Sequence, residues 1–191
     1  MQPGMFIDWI WIAWALSWLI AAFWSSRSLR RPGLDAELGY HVVLLFGALL
    51  FLIPAHSYEE MLRLWHVDAF SAWICVAFEL AGFAFAWWAR LHIGRLWSGT
   101  ITRKAEHRLV ETGPYGLVRH PIYTGILLAV VATAAAKGTV FGIAGMLLIV
   151  DGLWMKARLE ERWLSQELGD EAYAAYRRRV PMLLPFGPPG D

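Results

Sequence analysis

The chain predicts an all-α, polytopic membrane protein with five transmembrane helices, and three features of the sequence lead there. Its 191 residues are 58% hydrophobic and only 17% charged, a balance outside that of ordinary soluble domains. The apolar residues gather in runs near the length that spans a bilayer as a helix, about 20 residues, and the mean hydropathy of +0.43 agrees. The cations fall on one side of the map these runs define. No segment alternates apolar and polar residues as a barrel strand does, and helices close their backbone hydrogen bonds within one segment.

The first helix is expected over residues 6 to 24. No Lys or Arg precedes it and no small-residue cleavage site follows, so it reads as a permanent helix rather than a signal peptide. It carries Trp9, Trp11, Trp14, Trp18 and Trp24, five of the 12 Trp, whose amphipathic rings suit membrane interfaces. The second and third helices are expected over 38 to 54 and 69 to 89. The fourth and fifth, 122 to 136 and 139 to 157, are separated only by Lys137 and Gly138 and form a tight hairpin. On this map every one of the 17 Lys and Arg residues except Arg63 and Lys137 lies on one side. The positive-inside rule then places the N-terminus outside the cell inner membrane and the C-terminus in the cytoplasm.

A single membrane domain over 1–191 is expected, with three helices in 1–89 and a loop, hairpin and tail in 90–191. The loop over 90 to 121 is long, polar and cytoplasmic, and loops of such length generally serve a function or lack order. In the tail, Leu159, Trp163 and Leu164 share a helical face, Gly169 breaks the helix, and Asp170 suits the cap of a short second one carrying Tyr173, Tyr176 and Val180. Pro181 ends it. The lone Cys75 excludes an intrachain disulfide and a thiolate metal cluster.

Chemistry concentrates at the loop-to-helix junction, GLVRHPIYTG over 116 to 125. Pro121 suits the first turn of a helix, where its missing N–H has no partner to lose, and the helix start offers backbone donors and positive potential. Arg119 and His120 add side-chain donors, so the junction either holds an anionic group or lets Arg119 reach lipid headgroups while Pro121 begins the helix. Glu160 and Glu161 lie where the fifth helix leaves the bilayer, beside Lys156, Arg158 and Arg162. They read either as ion-paired neighbours or as a seat for a cation. Because the hairpin returns the chain to the same face, the two clusters must be neighbours, and together they suit a zwitterion. Glu79 and Asp151 are intramembrane carboxylates: Glu79 is either functional or a neutral group bonded to a neighbouring helix. The six His are dispersed, no HExxH, GxSxG, P-loop or GxGxxG motif occurs, and no metal or nucleic acid is expected as a partner.

The stretch WSGTITRKAEHRLVETGPYGLVRHPIYTG, followed after the hairpin by EERWLSQELGDEAYAAYRRRVPMLLPF, resembles the isoprenylcysteine carboxyl methyltransferase family in its prokaryotic branch. The resemblance covers roughly residues 90 to 186. It implies a membrane enzyme that uses S-adenosylmethionine at the cytoplasmic end of the fourth and fifth helices. By motif match, His107, Arg108, Leu109, Val110, Tyr115, His120, Pro121, Ile122 and Tyr123 line the cofactor pocket, and Glu160, with Glu161 beside it, holds the ammonium. The acceptor it implies is lipid-like or prenylated, most like the carboxylate of a prenylcysteine, and comes from among the membrane lipids. Lys156 or Arg158 orients this acceptor and Arg119 supports the cofactor or the turn. Lys156 stands where eukaryotic members carry an arginine, and a lysine lacks the bidentate fork. The RHPxY motif also occurs in phospholipid methyltransferases and in membrane sterol reductases, so an N-methyltransferase and an NADPH-dependent sterol or enone reductase are the alternatives.

Overall fold

Long apolar runs without internal proline fold as helices, and the structure, a computed structural model, describes residues 3–24, 28–30, 34–53, 62–97, 103–104, 109–168 and 170–188. The elements are α1 Pro3–Ala22, β1 Ser28–Arg30, α2 Leu34–Leu52, α3 Ala69–Ile93, β2 Arg103–Lys104, α4 Pro121–Lys137, α5 Val140–Leu168 and α6 Asp170–Arg179. Short 3-10 turns occupy Gly94–Leu96 and Gly113–Gly116 in the connection before α4. The five long helices fall where the hydropathy predicts them. By length and composition α1, the segment Ala69–Leu96 and the segment Val140–Gln166 are sufficient to cross a membrane, and α2 and α4 are shorter apolar helices. The chain is an integral membrane protein.

Two contacts outside the helices fix how the ends are arranged. β1 pairs antiparallel with β2, which joins the connection after α1 to the connection after α3. At the opposite end the Leu64 N–H donates to the Gly138 carbonyl at 2.7 Å, which joins the approach to α3 to the α4–α5 turn. The helices therefore run alternately up and down. That turn needs Gly138, whose φ of +58° is left-handed and whose absent Cβ leaves room for the Trp65 carbonyl.

Inside the bundle α3 packs on α4 and α2 on α5. Lipid tails are as apolar as the side chains they touch, so close backbone approach has to hold the helices together. At the α3–α4 crossing a Cβ on Gly82 would stand 2.5 Å from the Gly125 carbonyl, and one on Gly125 would stand 2.4 Å from the Gly82 carbonyl. α1 joins through aromatic rings. Trp11 and Trp14 each lie 4.8 Å from Phe83, and Trp18 lies 5.6 Å from Trp97. Three of the five N-terminal tryptophans thus fill a helix seam, because their spacing of three and four residues puts them on one face, while Trp9 and Trp24 stay exposed.

α5 extends beyond the expected 157 to Leu168 without a break, which carries Glu160 and Glu161 on continuous helix. α6 then folds back with Tyr173, Tyr176 and Val180 buried together against Leu109 and Leu164.

Candidate active site at the polar end of the bundle

The start of α4 is built by its own preceding turn. Pro121 occupies the first helical position and the His120 carbonyl accepts from the Thr124 N–H at 3.0 Å. The Arg119 and His120 backbone N–H groups donate to the Pro181 and Met182 carbonyls at 2.8 and 3.1 Å, so the tail after α6 is stitched to this turn. The Tyr176 hydroxyl reaches the Tyr115 carbonyl at 2.7 Å. These bonds hold the junction, α6 and the tail after it as one unit.

Within it the cationic and anionic clusters predicted from topology meet. The Arg119 Nε donates to Glu161 Oε1 at 2.6 Å, and its Nη1 donates to the Val180 and Arg177 carbonyls at 2.5 and 3.1 Å. His120 lies between the two glutamates, Nε2 at 3.3 Å from Glu161 Oε1 and Nδ1 at 3.4 Å from Glu160 Oε2. The Tyr123 hydroxyl donates to Glu160 Oε1 at 2.6 Å, and its ring stacks on His120 with 5.4 Å between centroids. The adjacent glutamates therefore differ. Glu161 is buried and met by Arg119, His120 and, at 3.8 Å, Arg177, whereas the Glu160 side chain keeps 20% of its surface open. Burial would strip the proton from His120, but hydrogen bonds and charge from the two carboxylates outweigh it, and its pKa rises above the ordinary histidine value. Burial pushes the Tyr115, Tyr173 and Tyr176 hydroxyls well above the usual tyrosine range.

Lys156 and Arg158 point different ways. The Lys156 ammonium lies over the rings of Tyr123 and Tyr40, at 5.4 and 5.7 Å. Arg158 stacks over Trp154 at 5.4 Å and, with Tyr40, Met155, Leu159 and Glu161, lines a cavity of about 730 Å³. Ile122 and Tyr115 are buried in one cluster that Val110 packs against, and Leu109 packs against the α6 cluster. Pro121 is buried at the helix start. His107 and Arg108 lie outside the described residues. Asp151 is exposed, while Glu79 is fully buried with neither carboxylate oxygen partnered among the described residues.

Three residues of this end escaped the sequence reading. Glu37 and Tyr40 of α2 are buried, and Glu37 Oε1 and the Tyr40 hydroxyl find no hydrogen-bond partner among the described residues. Their signal was weak, a carboxylate and a phenol one turn apart at the polar start of an apolar run. Arg90, counted in the sequence as a loop cation, is completely buried: it donates to the Gly94, Ala21 and Trp24 carbonyls and stacks on Trp97 at 4.5 Å. It ties the end of α1 to the end of α3, and a guanidinium with five donors suits three carbonyls and an aromatic face.

A membrane-embedded helical bundle with a charged, partly open cluster and an adjoining cavity at one end has the form of an enzyme working at the lipid surface. The isoprenylcysteine carboxyl methyltransferase family matches residues 74–166. Over that stretch, just under half of its length, the chain is similar to a family of integral-membrane methyltransferases. It is 28% identical over 171 residues to a probable protein-S-isoprenylcysteine O-methyltransferase of Oryza sativa, covering 88% of this chain and 87% of that one. It is 32% identical over 96 residues to the cobalt-zinc-cadmium resistance protein CzcN of Cupriavidus metallidurans, covering 49% of this chain and 43% of that one. Over 73 residues it is 45% identical to methanethiol S-methyltransferase 2 of Bradyrhizobium diazoefficiens, covering 37% of this chain and 26% of that one. It thus spans less than half the length of these two bacterial relatives and most of the rice protein.

Proposed function

We propose that the protein transfers a methyl group from S-adenosylmethionine to an amphiphilic, carboxylate-bearing acceptor at the cytoplasmic face of the cell inner membrane, with all five long helices spanning and the N-terminus outside. The observation that carries this reading is the division of labour between adjacent glutamates. Glu161 is consumed in holding Arg119, whereas Glu160, oriented by Tyr123 and His120, keeps an open edge for a cation. The Tyr40 hydroxyl and Glu37 carboxylate oxygen, unpartnered among the described residues, fit a polar ligand as well, since buried polar atoms are normally satisfied. The groups present suit the ammonium, carboxylate and sulfonium of this cofactor.

When bound, S-adenosylmethionine supplies a methyl group on a positively charged sulfur, open to direct attack by a nucleophile. Glu160 holds the ammonium, and Lys156, between Tyr40 and Tyr123, complements the carboxylate. The motif match assigns His107 and Arg108, which lie outside the described residues, to the cofactor together with Leu109, Val110, Tyr115, Pro121 and Ile122. Arg119 supports the turn rather than the ligand, its donors being engaged by Glu161 and two tail carbonyls. Arg158 orients the acceptor in the adjoining cavity, with the apolar part along Trp154, Met155 and Leu159. A carboxylate acceptor is ionised at neutral pH, so it needs alignment and exclusion of water rather than a base. The rice relative, a probable protein-S-isoprenylcysteine O-methyltransferase, favours a prenylated acceptor. The methanethiol relative favours a second reading, a small thiol, though a cavity of about 730 Å³ is ample for a larger one.

The test is calorimetric titration of detergent-purified protein with S-adenosylmethionine, S-adenosylhomocysteine and NADPH. The two adenosyl ligands bind the unaltered protein, and Glu160→Ala abolishes that binding while keeping a cooperative thermal transition. Arg158→Ala keeps cofactor affinity and loses turnover. Binding of NADPH alone supports a reductase instead, and unaltered adenosyl binding by a folded Glu160→Ala protein removes the role given to Glu160.

A further inference from the structure

Beyond α6 the chain crosses back over the start of α4. The Pro181 and Met182 carbonyls accept from the backbone of Arg119 and His120, just before the helix, and the Leu183 carbonyl accepts from the Thr124 hydroxyl at 2.6 Å, within its first turn. The same Thr124 hydroxyl lies 3.2 Å from the His120 carbonyl, so Leu183 stays level with the start of α4 and the next residues leave the protein at the polar end of the bundle. There the Gly187 N–H donates to the Leu184 carbonyl at 3.0 Å, closing a turn with Pro185 and Phe186 at its tip.

The residue choice at that tip is unusual. Phe186 has a φ of +62° and is the only non-glycine residue with positive φ among those described. In a turn with proline at the second position, the third position favours Gly or Asn when φ is positive, and a bulky residue there is strained. The phenyl ring gains nothing from the protein in return: Phe186 is 101% exposed and Leu184 70%. An apolar side chain held in a disfavoured backbone and aimed away from the protein needs a partner outside it.

Its surroundings say which. Leu117, on the turn that precedes α4, and Leu128 and Val131 along α4 are exposed apolar residues too. The arginines that end α6 do not select the partner, since Arg177 meets Glu161 and Arg179 meets Glu111; the exposed apolar surface of a chain embedded in a membrane does. We propose that the Leu184–Gly187 turn is a membrane anchor, inserting Leu184 and Phe186 into the leaflet at the polar end of the bundle. It thereby fixes the tail whose carbonyls hold Arg119. The inference rests on the chain's embedding in a membrane and is independent of the acceptor or cofactor assigned above.

The experiment uses the full chain with Cys75→Ser as background, in nanodiscs of phosphatidylcholine and phosphatidylglycerol. Nitroxide labels are placed one at a time at Phe186→Cys, Leu184→Cys, Val131→Cys as a lipid-facing control and Arg178→Cys as an exposed one. Relaxation by oxygen, which partitions into lipid, is compared with relaxation by a water-soluble nickel chelate. The anchor requires oxygen to exceed nickel at 184 and 186, with the sign found at 131. The sign found at 178 overturns it, as does protection from both reagents, which would mean a protein partner or second copy covers the turn. Should Phe186→Cys fail to fold, Leu184→Cys decides alone.

Discussion

At its Lys137 end α4 finishes with one glycine and one cation. Gly138 takes the left-handed conformation, and Lys137 donates to the Phe51 carbonyl across the bundle while lying 5.1 Å from the Phe51 ring. At its Pro121 end the same helix begins among Arg119, His120, Glu160 and Glu161, with three carbonyls of the tail drawn in. Both ends face the same physical problem of unsatisfied helix-terminal groups. The first solution is sufficient for it. The second buries charges whose desolvation their mutual attraction barely offsets, so stability does not explain it. The surplus is the mark of a site, and within it only Glu160 keeps an open edge.

The largest effect that sharpens this contrast is expected from Glu161→Ala, which leaves Arg119 buried without its carboxylate. A buried pair broken on one side costs about 3–5 kcal/mol, so thermal unfolding in detergent shows a pronounced loss. The double variant Arg119→Met with Glu161→Leu recovers most of it, because neither partner is then left as an uncompensated charge. No recovery would mean that Arg119 matters through the tail carbonyls rather than through Glu161.

A smaller, pH-dependent effect belongs to His120. Its proton is shared between Glu160 and Glu161, flanked by the charges of Arg119 and Lys156 and by the Tyr123 hydroxyl. With the folded pKa raised above the unfolded value near 6.5, the stabilisation is complete below about pH 6.5 and is lost as pH rises through the folded value. The thermal midpoint of the unaltered protein therefore falls with rising pH relative to His120→Gln over pH 6 to 9. Parallel curves would show that His120 is neutral in the fold.

The two ends were unequally legible. The five helices could be read from hydropathy, and the convergence of Arg119, His120, Glu160 and Glu161 followed from a hairpin that returns to its own side. Which carboxylate is consumed and which stays open could not, since that depends on a tail folding back through Pro181 to Leu183. Lys156 and Arg158 looked interchangeable in sequence. Two residues on a helix differ by about 200° in direction, so one faces Tyr123 and the other the cavity. Arg90 misled for the opposite reason: at the end of a hydrophobic run it counts as a loop cation, but carbonyls and tryptophans have enclosed it.

The smallest effect tests the contrast from its simpler end. Lys137→Met removes the donor to Phe51 while keeping the apolar stem, which a helix C-terminus tolerates at a loss of about 1 kcal/mol. Thermal stability is expected to fall slightly, with adenosyl-ligand affinity unchanged, because α4 meets the candidate site only through its first turn. A matching loss of affinity would mean that the hairpin transmits strain along 17 residues of helix. The Gly82–Gly125 contact argues against that, since it locks α3 to α4 between the two ends at a separation that admits no Cβ. An end that merely closes a helix and an end that builds a site can share one helix when a rigid crossing stands between them.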